Sequence, residues 1–571
     1  MTRPKSYRWI LLEPEREKVE TLMRDINASE PIARALVNRG VSNFDEAKAF
    51  FCPSAEQFHS PFLMKGMREA AERISRAIDK SEKILIYGDY DVDGTTGTSL
   101  LTLFLKRLGA DVIFYVNDRK IEGYGVARTG INYAIAQNAK LIITVDCGVT
   151  AIEPIQYAKQ NGIDVIVCDH HEAKEELPDA LAVLDAKREG CGYPFKELSG
   201  CGVAFKLACA ICELRGINKE AAFEFLDFVA LAIAADIVPM VKENRALMAE
   251  GIRRVQNAKR APLKALAEIS RINIEETTAS QIVFQLSPRI NAAGRLDHAR
   301  EAIKLLTAET EDEAKKAAEL LGKLNEERKR IDEEIFEEAE EDATRLLVQY
   351  SSSIVLYKPE WHLGVIGIVA SRVVERFYLP TIILTSSGDG ILKGSARSVA
   401  GFNIFKAIAN SQTHLLQFGG HEMAAGLSMR IEQLDGFRAA FDKHCAENLD
   451  MELRAPALCI DAEMRLEQIT PNFYKVLKRF EPCGPGNMHP IFLTRNVKPS
   501  SPPKLLKDKH VKFAVKDAQG RTFDVIGFDM SHHYEALRDP NKTFSLVYSV
   551  EENGWNGQSV IQLRLRDLKA E

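Results

Sequence analysis

The sequence has no apolar run long enough to cross a bilayer. Its most apolar longer stretch, FVALAIAADIVPM from Phe228 to Met240, falls short of the roughly 20 residues a spanning helix needs and carries Asp236. Near the N-terminus only Trp9-Ile10-Leu11-Leu12 is apolar before charges return, too little for the apolar region of a signal peptide. A strong excess of one charge is also missing. The formal net charge of −6 advertises no polyanion partner, although a local basic groove can bind nucleic acid within an acidic chain. Ten cysteines without a secretory signal read as reduced thiols of a cytosolic enzyme, not as a disulfide framework. A membrane protein and a stapled secreted domain are thereby set aside, and a cytoplasmic location is expected. At 571 residues the chain exceeds what one hydrophobic core organises, so several domains are expected.

What the sequence does have is carboxylates at regular spacing. The run KILIYGDYDVDGTTG, Lys83 to Gly97, carries Asp89, Asp91 and Asp93 and then a glycine, the opening of an EF-hand loop. Such a loop needs a bidentate Glu where this chain has Leu100, and it follows a helix, whereas Ile84-Leu85-Ile86-Tyr87 reads as a buried strand. Further apolar runs at Val112–Val116, Leu141–Val145, Asp164–Cys168 and Ala182–Leu184 alternate with helical segments, which predicts a parallel sheet covered by helices on both faces. Ligands bind beyond the carboxyl ends of such strands. That edge is where Asp89, Asp91 and Asp93, then Asp146, then Asp169-His170-His171 fall. One Asp after a strand is commonly a cap or turn residue; recurrence at three strand ends points to a site.

Residues 190–300 read as mostly helical. Within them Cys209-Ala-Ile-Cys212 has the spacing of half a zinc site, but VAFKLACAICELRG reads as a buried helix, where free Cys is a small core residue. From Glu311 to about Val348 a charged run with Leu320, Leu324, Ile331 and Ile335 at three-to-four spacing predicts a helix of about 55 Å. No heptad is sustained, so a rigid connector is expected rather than a coiled-coil arm. A second α/β unit follows, and beyond Pro456 short strands separated by turn residues predict a small barrel or sandwich.

Asp91, Asp93, Asp146 and His170, with Asp236 from LAIAADIVPM, make an oxygen-rich set with one imidazole, suited to Mn²⁺ or Mg²⁺. Two such ions, roughly 3.5–4 Å apart, would stabilise both the attacking and the leaving oxygen of a phosphoester. Hydrolysis of a phosphate ester is the expected reaction.

The segments GDYDVDG, TVDCG, the Asp169-His170-His171 triplet and Asp236 in AADIVP resemble the ordered motifs of the DHH phosphoesterases, and GGHEMAAG resembles the signature of their associated DHHA1 domain. SPRINAAGRL, GSARS and GPGNMHPIF narrow the resemblance to a single-strand-specific 5′-to-3′ exonuclease branch, over nearly the whole chain. The implied fold is α/β: an N-terminal segment (1–80) packing on the catalytic core, a parallel-sheet DHH domain (81–308), a connector helix (309–348), a smaller α/β DHHA1 domain (349–450) and a C-terminal OB-like β-barrel (456–571).

The resemblance also implies roles. Asp91, Asp93, Asp146, His170 and Asp236 would hold two divalent cations, Mn²⁺ or Mg²⁺, with Asp146 as the bridge. Asp89 and His171 would stand behind the ligands or touch phosphate, and His421 would steady the reacting phosphate. Arg119, Ser395 and Arg397 would bind the terminal 5′ phosphate, and Arg295 the strand's backbone. Tyr87 stands where many relatives place a metal-binding His, leaving one ion with fewer protein ligands. The barrel, with Lys498, Lys504, Lys507, Lys509, His510 and Lys512 followed by Phe513, Phe523 and Phe528, would track single strands.

Single-stranded DNA, in repair and recombination, is the expected substrate, with a helicase and a single-strand-binding protein as further candidate partners and no membrane. Three rival readings are weaker. An enzyme acting on oligonucleotides or nucleotide phosphates would not need residues 456–571, a non-catalytic replication scaffold would have lost the carboxylates, and a manganese pyrophosphatase does not fit GGHEMAAG.

Overall fold

The structure, a computed structural model, describes residues 7–118, 122–555 and 558–571. Two compact units divide the chain. The first joins Lys48–Arg328 with a short loop, Phe480–Met488; the second joins Met1–Ala47, Lys329–Arg479 and His489–Glu571.

Five parallel strands make the sheet of the first unit, in the order Val112–Val116, Ile84–Gly88, Leu141–Val145, Asp164–Cys168, Ala182–Leu184. Ile84 sits level with both Val112 and Leu141, so the three strands end together. The order reverses at Ile84–Gly88, because the next strand lies on one side of it and the one after on the other. That reversal opens a crevice beyond the strand ends, where ligands of such sheets sit. Both faces are covered: Ile84 and Ile86 join one buried cluster with Leu100 and Val203, while Leu85 and Tyr87 join another with Ile131 and Ile155. Burial on both faces is why these strands read as unbroken apolar runs. Cys209 and Cys212 lie inside the helix Gly200–Leu214, on or against the first cluster.

The long helix runs Glu311–Leu346, 36 residues. Its buried residues include Ala314, Ala318, Leu321, Ile335 and Ala339, and Leu320, expected on the apolar face, is 37% exposed. Alanines share the contact with Leu321 and Ile335, and of the expected stripe Leu324 packs on the core while Leu320 turns outward.

In the second unit a five-stranded sheet has the order Gln417–Gly420, Ala424–Arg430, Ile391–Arg397, Thr381–Ser386, Ile354–Tyr357, antiparallel except for the last pair. A seven-stranded sheet follows, dominated by the long hairpin of Phe544–Trp555 and Gln558–Ala570. Phe513 and Phe523 are buried in it, whereas Phe528 is 48% exposed, with the His510 ring against it and the Arg564 guanidinium 5.2 Å from its centroid.

The N-terminal stretch expected as one segment, residues 1–80, divides between the units, residues 7–47 grouping with the second and residues from Lys48 with the first. The strand Arg8–Leu11 adds in parallel to Ala457–Ile460, and Arg39 meets Asp461 at 2.6 Å with both side chains nearly buried. These ties fasten the chain before Lys48 to the second unit. Both are made to residues more than 400 positions away, and neither leaves a local pattern in the sequence. Among the described residues no helix is long and apolar enough to cross a membrane.

Candidate metal centre

The end of one buried strand and the start of one buried helix place the first acids. Asp91 caps the helix Val92–Arg107, its Oδ1 accepting the Gly94 N–H at 3.0 Å. Asp93, in the first turn, is buried, and its oxygens accept the N–H groups of Gly200 and Cys201 at 2.6 and 2.7 Å. The positive end of the helix Gly200–Leu214 thus holds this carboxylate. From SPRINAAGRL, Asn291 Oδ1 accepts the Val92 N–H at 3.1 Å and braces the same loop. Asp146 leaves the strand Leu141–Val145 with left-handed backbone, φ +63°. His170 follows Asp164–Cys168, and Asp236 ends the helix Leu226–Ala235.

These side chains converge. His170 Nε2 lies 3.0 Å from Asp146 Oδ1, 3.6 Å from Asp236 Oδ2 and 3.7 Å from Asp93 Oδ2. Three groups have donor atoms within 4.8 Å of one another: Asp89, Asp91 and Asp146; Asp93, His170 and Asp236; and Asp146, His170 and His171. Asp146 and His170 are each shared by two of them. Asp89 lies beside Asp91 and Asp146 in one of these groups.

Two residues that sequence reasoning left without a role support the cluster. Buried Asp169 accepts the N–H groups of Val149 and His170 at 2.9 and 2.8 Å and meets His171 Nδ1 at 2.7 Å, which orients that ring. The Tyr124 hydroxyl lies 3.0 Å from His171 Nδ1 and donates to the Asp146 carbonyl at 3.3 Å. Asp169 was visible as the head of the Asp-His-His triplet; a lone Tyr between glycines carries no signal.

Electrostatics show what the cluster lacks by itself. Burial, with the charge of Asp91, pushes the Asp93 carboxyl up to about 7. Burial and the charges of Asp93 and Asp91 push Asp236 up to about 9, and the same causes carry Asp146 well above the usual carboxylate range. His170 is pushed down to about 3, by burial first and then by His171, and so is neutral and able to ligate. Burial would also lower His171, but the hydrogen bond and charge of Asp169 outweigh it and raise that ring. Asp146 Oδ1 and His170 Nε2 are buried without a hydrogen-bond partner, their 3.0 Å approach lacking hydrogen-bond geometry. Buried acids this close are costly unless a cation compensates them. An oxygen-rich set with imidazole fits Mn²⁺ or Mg²⁺.

Tyr87 takes no part. It is fully buried; its hydroxyl contacts the Asn117 side chain and accepts the Ala127 N–H at 2.9 Å, bracing the segment after the strand Val112–Val116. Arg119 lies outside the described residues. Arg295 is half-buried in the last turn of the helix Ser287–Leu296.

Ser395, Arg397 and His421 belong to the second unit. Ser395 and Arg397 share one face of the strand Ile391–Arg397, and Arg397 Nη1 donates to Ser395 Oγ at 3.0 Å. Gly367, in the first turn of the helix Ile366–Phe377, faces them: a Cβ there would lie 3.0 Å from Ser395 Oγ and 3.2 Å from Arg397 Nη2. A hydroxyl, a guanidinium and a helix N-terminus make an anion cradle that a side chain at 367 would fill. His421 is exposed, its N–H donating to the Ala424 carbonyl at 2.8 Å.

Comparison with known proteins agrees with this division. Residues 83–233 match the DHH family N-terminal domain, 346–447 the DHHA1 domain and 460–567 the RecJ OB domain. The chain is 38% identical over 562 residues to the single-stranded-DNA-specific exonuclease RecJ of Bacillus subtilis, covering 98% of this chain and 70% of that protein. Crystal structures of RecJ from Thermus thermophilus superpose at TM-scores of 0.84 for the Mn²⁺ complex, at 29% identity, and 0.77 for the Mg²⁺ complex, at 28%. They cover 99% of this chain and 79% and 78% of theirs.

Proposed function

The chain belongs to the RecJ family of single-stranded-DNA-specific exonucleases, and we propose that its carboxylate and imidazole cluster is where the phosphodiester is hydrolysed. The enzyme is an exodeoxyribonuclease that works with a divalent cation, Mn²⁺ or Mg²⁺. The observation that carries the site is the buried, unpartnered pair of Asp146 Oδ1 and His170 Nε2 among Asp91, Asp93 and Asp236.

Asp91, Asp93, Asp146, His170 and Asp236 would hold two cations, with Asp146 between them and Asp89 beside it. Bound there, the ions supply an activated water and neutralise charge that develops on the scissile phosphate. The chain's own groups do the rest. The helix-end amides of Gly200 and Cys201 keep Asp93 in place, and Asp169 fixes the His171 ring. His171, held protonated to higher pH by Asp169, would donate to a phosphate oxygen.

Polarity needs a group that reads the strand's end. Ser395, Arg397 and the amide end at Gly367 suit a terminal 5′ phosphate, so digestion would run 5′ to 3′. The second-unit sheet with Phe528 and its neighbouring cations would hold the strand. We place this activity in DNA repair and recombination in the cytoplasm, where a helicase would expose single strands and a binding protein would coat them.

The test offers end-labelled single strands, blunt duplex and pyrophosphate, each with Mn²⁺, Mg²⁺ or chelator. Metal-dependent loss of mononucleotides from the 5′ end of single strands alone is expected. Digestion from the 3′ end refutes the polarity, and turnover of pyrophosphate refutes the substrate class.

A further inference from the structure

The motif GPGNMHPIF has no part in the reaction above, yet its first half folds into the first unit, against the segment that follows Asp236. The Met240 N–H donates to the Pro485 carbonyl at 2.6 Å. Gly484 and Asn487 exchange backbone hydrogen bonds at 3.0 and 2.8 Å, closing a turn on Pro485 and Gly486, the latter at φ +74°. Buried Asn487 donates to the carbonyls of Phe480 and Pro482 at 2.8 and 2.9 Å. Arg245, also buried, donates to the carbonyls of Phe480, Glu481 and Pro482 at 2.9, 2.9 and 2.7 Å and to that of Phe50 at 3.1 Å. A planar guanidinium bonded to several carbonyls of one loop leaves that loop a single position. Its approach to the metal segment is as close as glycine permits: a Cβ on Gly484 would meet Met240 Cβ at 3.1 Å, and one on Gly486 would meet Val241 Cγ1 at 2.9 Å.

The segment so held is strained. Directly after Asp236, Ile237 has φ +59° although it is β-branched, a conformation that helix ends ordinarily give to glycine. Ile237 is 66% exposed, so burial of its own side chain does not explain the conformation. Strain of this kind persists where surrounding contacts over-determine it. Here the Asn244 side chain holds the Pro239 carbonyl at 3.1 Å and Pro485 holds the Met240 N–H.

We infer that the loop Phe480–Met488 is a positioning element of the metal centre: by anchoring Met240 it keeps the turn at Ile237 in its strained form and the Asp236 carboxylate facing His170 and Asp93. This rests on the reading of Asp236 as a metal ligand. The stretch after Pro456 thus completes the support of a ligand more than 200 residues earlier.

The test measures Mn²⁺ affinity of the full chain by electron paramagnetic resonance of the free ion, with single-strand binding in chelator as the check on folding. Gly484→Ala and Gly486→Ala should each weaken Mn²⁺ binding about tenfold or more, the range for residues that orient a ligand, while single-strand binding in chelator stays as in wild type. With Ile237→Gly the turn no longer needs to be held, so adding Gly484→Ala should weaken binding by no more than about threefold. Asp236→Asn separates the two layers. If Asp236→Asn loses affinity while folded Gly484→Ala and Gly486→Ala keep it, the positioning role is overturned and the ligand reading stands. If Asp236→Asn binds Mn²⁺ like wild type, the ligand reading beneath it is overturned. Should Gly486→Ala not fold, Gly484→Ala, whose added atom is the less crowded, decides alone.

Discussion

In the proposed reaction the metal centre and the Ser395–Arg397 cradle would both meet phosphate, by opposite means. The first gathers buried acids whose charges repel one another and whose carboxyls are pushed up to about 7 at Asp93 and about 9 at Asp236. It is an unfavourable arrangement that a cation relieves. The second offers an N–H end, a hydroxyl and a guanidinium, which need no added ion to attract an anion. The contrast separates two tasks: a metal cluster treats any phosphodiester alike, so the chemistry can sit there while direction is read elsewhere.

The sharpest way to break the comparison is to remove the shared carboxylate. Asp146→Ala should reduce hydrolysis to background, since both groups that contain Asp146 lose a carboxylate, while single-strand binding by fluorescence anisotropy persists. Metal-dependent turnover near the wild-type rate, in a preparation free of other nucleases, would remove Asp146 from the centre.

The next effect is on stability and has a definite sign. Asp93 and Asp236 bind protons more tightly folded than unfolded, where an Asp has a pKa of about 3.9. Their contribution is therefore fully present at low pH and is lost as pH rises toward about 9. In chelator the melting temperature should fall between about pH 7 and pH 9, above the range in which neutral His170 adds an opposing trend, and the increment produced by Mn²⁺ should grow over the same interval. A melting temperature in chelator that climbs through this range contradicts the repulsion argument.

Arg397→Ala acts on the other region and should be smaller, a loss of roughly 1.5–3 kcal/mol in preference for a 5′ phosphate over a 5′ hydroxyl. Rates on the hydroxyl strand should change much less. Gly367→Ala should reduce the same preference without lowering the melting temperature, because Ala favours the helix. An undiminished phosphate preference in both proteins would place the end-reading pocket somewhere else.

The smallest expected effect is in the barrel. Phe528→Ala should weaken binding of long single strands by about 1 kcal/mol, the lower end for one stacked base, with no change in turnover at saturating substrate. The same substitution at buried Phe513 or Phe523 should lower the melting temperature instead.

Much of the first unit was legible because its signals are local. Strands such as Ile84–Gly88 and Asp164–Cys168 are buried on both faces and must be apolar throughout, and the acids follow them at the edge where such sheets bind ligands. The second unit was less legible. The alternating phenylalanines of the barrel fit core and stacking equally well, and burial alone separates Phe528 from Phe513 and Phe523.

By itself, then, the sequence determined the alternation of strand and helix, the strand ends that carry the acids and the chemical type of the ligand set, all of which follow from side-chain periodicity within a few residues. Tertiary structure alone decided that the amides of Gly200 and Cys201 hold Asp93, that Tyr87 faces Asn117 and not the acids, and that Tyr124 reaches His171. It also decided that Arg8–Leu11 joins a strand near residue 457 and that Pro485 holds Met240. Each of these joins residues from dozens to hundreds of positions apart, most of them through backbone donors or acceptors that every residue type possesses, so no local pattern of side chains announces them.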